Sequence, residues 1–121
     1  MLTNEWITEE YAKWKAMNPP LDVRNFTVYM SSFIAPRAKC YDGLQLSIQA
    51  SSFHYCCPKV TGCQEYKSVE VGYPSERIEA LMPYAENPKQ PTNTVYPFVD
   101  VELLDDILRE HGGIVGRAKS L

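Results

Sequence analysis

The chain has 121 residues, 45% hydrophobic and 22% charged, with a formal net charge of −3. That is one domain's worth of sequence, hydrophobic enough to bury a core and unlike the low-hydropathy, high-charge composition of a disordered chain. Residues 1–63 carry six Lys/Arg against five Asp/Glu, and residues 64–121 carry six against ten. There is no basic stripe of the kind that tracks a phosphate backbone, which argues against a duplex nucleic-acid partner. No apolar run approaches the ~20 residues of a membrane span, and Met1-Leu2-Thr3-Asn4-Glu5-Trp6 lacks the basic and apolar regions of a signal peptide. The expectation is a single domain over 1–121, cytoplasmic, with no membrane contact and with its four cysteines as buried reduced thiols.

In chain order, residues 4–17 read as an amphipathic helix, with Ile7, Tyr11, Trp14 and Met17 at helical spacing and Trp6 widening the apolar face. Thr3 or Asn4 can cap it, and Asn18-Pro19-Pro20 ends it, because a residue before proline avoids the helical region. Residues 24–30 alternate as a strand, and Ser32 to Lys39 is loop-like around Pro36. Tyr41-Asp42-Gly43 marks a turn. From Leu44 the alternation Leu44, Leu46, Ile48, Ala50 against Gln45, Ser47, Gln49, Ser51 gives a half-buried antiparallel strand over 44–57. Its outer face changes from polar to aromatic at Phe53 and Tyr55, a signal of a bulge or of cover by another element. After a turn over Pro58–Gln64, residues 66–73 alternate again and form its hairpin partner. Pro74-Ser75 opens a short helix through Met82, capped by Ser75 and stopped by Pro83, with Ile78, Leu81 and Met82 facing inward. Residues 86–93 form a polar loop with two prolines, and Thr94-Val95-Tyr96 adds a short edge strand before Pro97. Asp100 caps the last helix, Leu103, Leu104, Ile107 and Leu108 form its buried stripe, and Gly112-Gly113 stops it. The fold class is therefore α+β: an antiparallel sheet of about four strands with an N-terminal helix, a short middle helix and a C-terminal helix.

Chemistry is sparse in this pattern. Cys56 and Cys57 are adjacent, so they point to opposite faces of a strand, and Cys57 to Cys63 is too wide for a zinc knuckle; no metal or cofactor is expected. The two histidines have ordinary explanations, His54 on a strand face and His111 at a helix C-terminus, where the dipole favours its charge. A small hydrolase would have to use His54 with Cys56 or a carboxylate. Nothing resembles a phosphate-cradling glycine loop. What remains is a scatter of arginines, Arg24, Arg37, Arg77, Arg109 and Arg117, among aromatics, with amides such as Asn93. A ring to stack a base, a guanidinium to hold a phosphate and an amide to read an edge are what a nucleotide-like ligand needs. No enzymatic activity is expected.

The stretch Cys40-Tyr41-Asp42-Gly43-Leu44-Gln45-Leu46-Ser47-Ile48-Gln49-Ala50-Ser51, with His54-Tyr55-Cys56, Val69-Glu70-Val71-Gly72-Tyr73-Pro74-Ser75 and Glu110-His111-Gly112-Gly113-Ile114, resembles the first described family of phage anti-Thoeris proteins. Members of that family are sponges that sequester cyclic ADP-ribose-type signals, and some bind cyclic oligonucleotides, without cleaving them. The resemblance implies a homo-oligomer, dimer or hexamer, acting in the host cell cytoplasm, with the signal held where the C-terminal segment of one subunit meets another. By position the ligand residues would be Met82 or Tyr84 as stacking groups, Thr92 and Asn93 in the polar loop, Phe98, Arg109 on the last helix, and Arg24 as a further phosphate group. Met82 departs from an aromatic stacker. The alternative is a phage-encoded inhibitor that binds a host protein directly, in the manner of an anti-CRISPR protein.

Overall fold

The computed structural model describes residues 1–18 and 33–119; the expected strand over 24–30, and with it Arg24, lies outside them. Helix α1 (Thr3–Met17) is followed by β1 (Ala38–Cys40), β2 (Gln45–Gln49), β3 (Ser68–Gly72), a 3₁₀ helix (Glu79–Tyr84), β4 (Val95–Asp100), helix α2 (Val101–Glu110) and β5 (Ile114–Arg117). The strands form one five-stranded sheet in the order β4-β3-β2-β1-β5, every neighbouring pair antiparallel. This is the expected α+β class with one strand more than anticipated.

Two unanticipated strands, β1 and β5 at the end of the sheet opposite β4, explain the difference, while the expected strand over 24–30 lies outside the described residues. β1 and β5 are only three and four residues long, too short for alternation to announce them. After Gly112 and Gly113 the chain turns back and lays Ile114 beside Cys40. Gly112 sits at φ 83, and a Cβ there would lie 2.7 Å from the Cβ of Tyr41, so this helix stop and the Tyr41-Asp42-Gly43 turn require glycine together. Asp42 braces the same junction, bonding Leu44 N–H at 3.1 Å and the His111 ring at 2.6 Å.

Inward-facing Leu46, Ile48, Val69, Val71, Tyr96 and Val99 are fully buried beneath Trp6 and Ile7 of α1 and Leu104, Ile107 and Leu108 of α2. Helix α2 follows its sequence signals: Asp100 accepts from Glu102 N–H, and the Gly113 N–H returns to the Leu108 carbonyl. Helix α1 departs from them. Met17 is exposed, and the buried face instead includes polar Thr3 and Glu10. Neither Thr3 nor Asn4 caps the helix. Asp105 of α2 does so from outside, accepting from Thr3 N–H at 2.9 Å and from its hydroxyl at 2.6 Å. Asn4 exchanges two hydrogen bonds with the Tyr66 backbone, and the Glu10 carboxylate, 1% exposed, is held by Arg117 at 2.7 Å.

Three further expectations change. β2 ends at Gln49 rather than running to Cys57, because Ser51 turns the chain: its hydroxyl accepts from Phe53 N–H and its carbonyl from His54 N–H. The middle helix is a 3₁₀ helix four residues later than expected, and Pro83 lies inside it, between the Leu81 N–H bond to the Ile78 carbonyl and the Ala85 N–H bond to the Met82 carbonyl. Ser75 caps nothing; it clasps Gln45, donating its N–H to the carbonyl and accepting from the Gln45 N–H. Finally, β4 continues through Pro97 to Asp100, which an edge strand with a bulge permits.

Candidate ligand-binding face

The bulge on β4 builds the most exposed aromatic surface. Val69 pairs with Val99 and Val71 with Tyr96, which leaves Pro97 and Phe98 opposite the single residue Glu70. Phe98 adopts φ 53, a left-handed backbone that costs a bulky residue about 1–2 kcal/mol. The twist turns its N–H out of the ladder and toward the Tyr55 carbonyl, 3.1 Å away. Tyr55 belongs to the segment 51–57, which leaves β2, crosses the outer face of β3 and rejoins the sheet where Cys57 bridges Ser68. Glu70 fixes this strap from beneath by accepting the Tyr55 N–H at 3.2 Å. The Tyr55 and Phe98 rings meet at 5.8 Å and 48°, and Lys59 places its ammonium 5.9 Å over the Tyr55 ring. Phe98 is 51% exposed, Tyr55 48%, and neighbouring Phe53 71%. Sequence reasoning reached Phe98 but missed Tyr55, Lys59 and Glu70. The change from polar to aromatic residues after Ser52 is the signal that marks them.

Beneath the strap the potential reactive groups are engaged. The Ser51 hydroxyl accepts from Phe53 N–H and is hydrogen-bonded to His54 Nδ1 at 2.6 Å. Ser51 is wholly buried, so a substrate cannot reach this hydroxyl. Burial holds His54 below the usual imidazole range, with the Glu70 carboxylate pulling the other way. The Cys56 thiol donates to the Ser51 carbonyl and is pushed up by burial. Cys40 is pushed up to about 11, mainly by burial and further by Asp42. Thiols so protonated are poor nucleophiles and poor metal ligands. The expectation of four buried thiols holds for Cys40 and Cys56 only; Cys57 is exposed and Cys63 partly so, because the strand expected to hold Cys57 has given way to the strap. Among the described residues no three His, Cys, Asp or Glu side chains gather as metal ligands.

The described residues expected at a ligand site fall in four places. Met82 and Tyr84, both partly buried, lie on the 3₁₀ helix that packs against β4. Thr92 and Asn93 are exposed in the 86–93 loop, which is pinned by the Tyr96 hydroxyl on the Pro91 carbonyl and by the Thr94 hydroxyl on Asn87 N–H. Phe98 is on the bulge, at the other end of the same strand. Arg109 is exposed on α2, its guanidinium 2.9 Å from Asp106 one turn earlier. Within one chain the loop and the bulge share β4, whereas Arg109 belongs to the helix beyond it. A separate polar groove of about 740 Å³ lies between the starts of the two helices, lined by Glu65, Asp100, Glu102, Asp105, Lys67 and Asn4 among others.

Among the described residues no helix is long and apolar enough to cross a membrane. No family model, curated protein or solved structure matches the chain.

Proposed function

We propose that this chain is a non-catalytic sponge: it binds and sequesters a signal built from planar rings and phosphates, of the cyclic ADP-ribose or cyclic oligonucleotide type, and so blocks a bacterial anti-phage defence. The observation that carries the reading is Phe98. A large aromatic residue is held half exposed on a strained backbone, against Tyr55 and beside a lysine. Such a surface suits ring stacking, and Lys59 with Arg109 supplies cations for phosphates. The buried Ser51 and Cys56 and the half-buried His54, each engaged in hydrogen bonds, suit a protein that holds its ligand without cleaving it. The family resemblance of the sequence points to the same ligand class. Association of copies as a dimer or hexamer would let Arg109 of one subunit approach the β4 face of another. The site of action is the host cytoplasm.

Calorimetry against cyclic ADP-ribose and a panel of cyclic oligonucleotides tests the reading, with heat denaturation of the complex afterwards. Wild-type protein should bind one of these compounds and release it intact. Phe98→Ala should weaken binding by about 5- to 100-fold, the range for loss of one stacking partner, and Arg109→Ala should weaken it as well. Recovery of a cleaved product would overturn the proposal. A second reading draws on the acidic groove at the helix starts: direct inhibition of a host protein through a basic surface. Co-purification with a host protein, with no heat from any nucleotide, would favour it.

A further inference from the structure

Two bulky residues of the described chain take the left-handed backbone, Phe98 at φ 53 and Tyr73 at φ 50. Phe98 is accounted for above; Tyr73 is not. It closes β3, donating its N–H to the Thr94 carbonyl at 3.0 Å, and two residues later Ser75 is clasped to Gln45 of β2. A positive φ serves the reversal between these two attachments. Glycine or asparagine would adopt it with less strain, and the following Pro74 further restricts the backbone of the residue before it. The Tyr73 side chain does not repay this strain through the core, since 48% of it is exposed. A tyrosine at such a position is explained by a use for its ring outside the fold.

The surroundings indicate the use. Thr94, the partner of Tyr73, ends the 86–93 loop, so Tyr73 stands at the foot of the segment bearing Thr92 and Asn93. The Asn93 Nδ2 donates to Gln90 Oε1 at 3.2 Å, which leaves the amide oxygen for an outside donor. A ring at Tyr73 and an amide acceptor on the residue next to its backbone partner Thr94 match a heterocycle with an N–H on its edge. We infer that Tyr73 is a stacking residue, and that its ring and the Asn93 amide together take a nucleobase-type ring where β3 meets β4. Phe98 lies four residues beyond Thr94, roughly 13 Å along the strand, so Tyr73 forms a contact separate from the Tyr55–Phe98 pair. The inference rests on the reading of the chain as a binder of ring-bearing signals.

The experiment uses the full chain and two substitutions. Tyr73→Asn keeps a residue that tolerates the left-handed backbone and removes the ring; Tyr73→Phe keeps the ring and removes the hydroxyl. Each is measured by urea unfolding and by calorimetry with cyclic ADP-ribose and a cyclic dinucleotide. Tyr73→Asn is expected to have a urea midpoint no lower than wild type and at least about tenfold weaker binding, while Tyr73→Phe binds within about twofold of wild type. A lower midpoint for Tyr73→Asn overturns the inference by making the ring part of the fold. Unchanged binding by Tyr73→Asn, or lost binding by Tyr73→Phe, overturns stacking. If Tyr73→Asn binds normally while Phe98→Ala does not, this contact fails and the proposed function stands. Wild-type protein that binds neither probe removes both.

Discussion

The helical side of the molecule and its strap side solve opposite problems. Around α1, polar side chains are paired with partners distant in the chain: Thr3 with Asp105, Asn4 with Tyr66, Glu10 with Arg117, although the buried Trp6 indole N–H has no partner among the described residues. Where the strap crosses β3 to β4, aromatic rings are left half in solvent and a phenylalanine is held on a strained backbone. The first region spends its specific contacts on holding the ends of the chain together. The second gives up stability to present a surface. Substitutions on the helical side should therefore appear as lost stability, and those on the strap side mainly as lost binding.

The largest stability effect is expected at Glu10. Arg117→Ala removes the cover and the main partner of the Glu10 carboxylate, leaving, among the described residues, only Lys13 nearby, at 3.5 Å. Breaking a fully buried pair costs roughly 3–5 kcal/mol; because Arg117 is half exposed and Lys13 stays, the expected loss is about 2 kcal/mol. Glu10→Gln in the Arg117→Ala background should recover part of it. Urea midpoints for the single and double variants decide: a wild-type midpoint in Arg117→Ala would mean that α1 and β5 are held by apolar packing alone.

A smaller effect is expected at Asp105. Its carboxylate satisfies a free N–H at the start of α1 and places negative charge at the positive end of that helix. Asp105→Ala should lower stability by about 1 kcal/mol, as loss of a capping group does, and Asp105→Asn by less, since an acceptor remains. If both variants match wild type, α1 is capped by solvent and the link between the helices is incidental.

These contacts also show what sequence can and cannot disclose. Helix α2 was legible because its signals are local: a capping aspartate, an apolar stripe, two glycines. The inner face of α1 was not, because Thr3 and Glu10 look like solvent-facing residues until partners about a hundred positions away are in place. β1 and β5 escaped for the same reason, since β5 is defined by its pairing with β1, and β1 by its pairing with β2 and β5. At the candidate site, Phe98 was implied by the family resemblance, but its exposure follows from a register shift against β3 that no alternation predicts. Tyr55 was announced by the change of pattern after Ser52. Tyr73 reads as an ordinary strand residue, since the pairing that sets its backbone is tertiary.

The smallest effect tests whether the strap has a stability of its own. His54 is held neutral beneath it by burial, and its folded-state proton affinity lies below the usual value of 6.5. The unfolded chain therefore takes up the proton first as pH falls. This stabilisation is complete above about pH 6.5 and is eroded below it until the folded state is protonated too. Protonation would also make His54 Nδ1 a donor to the Ser51 oxygen, which already accepts from Phe53 N–H, so the Ser51 hydroxyl proton would have to point elsewhere. Glu70 works in the opposite direction and limits the effect. His54→Asn can keep an acceptor near the Nδ1 position without titrating. Wild type should lose more stability than His54→Asn between pH 7.5 and 5.5, measured by urea midpoint, and amide exchange at Tyr55 and Phe98, corrected for intrinsic rates, should quicken over the same range only in wild type. Parallel pH profiles for the two proteins would show that the strap is held by Glu70 and the sheet alone, and that its two sides differ in exposure but not in how firmly they are held.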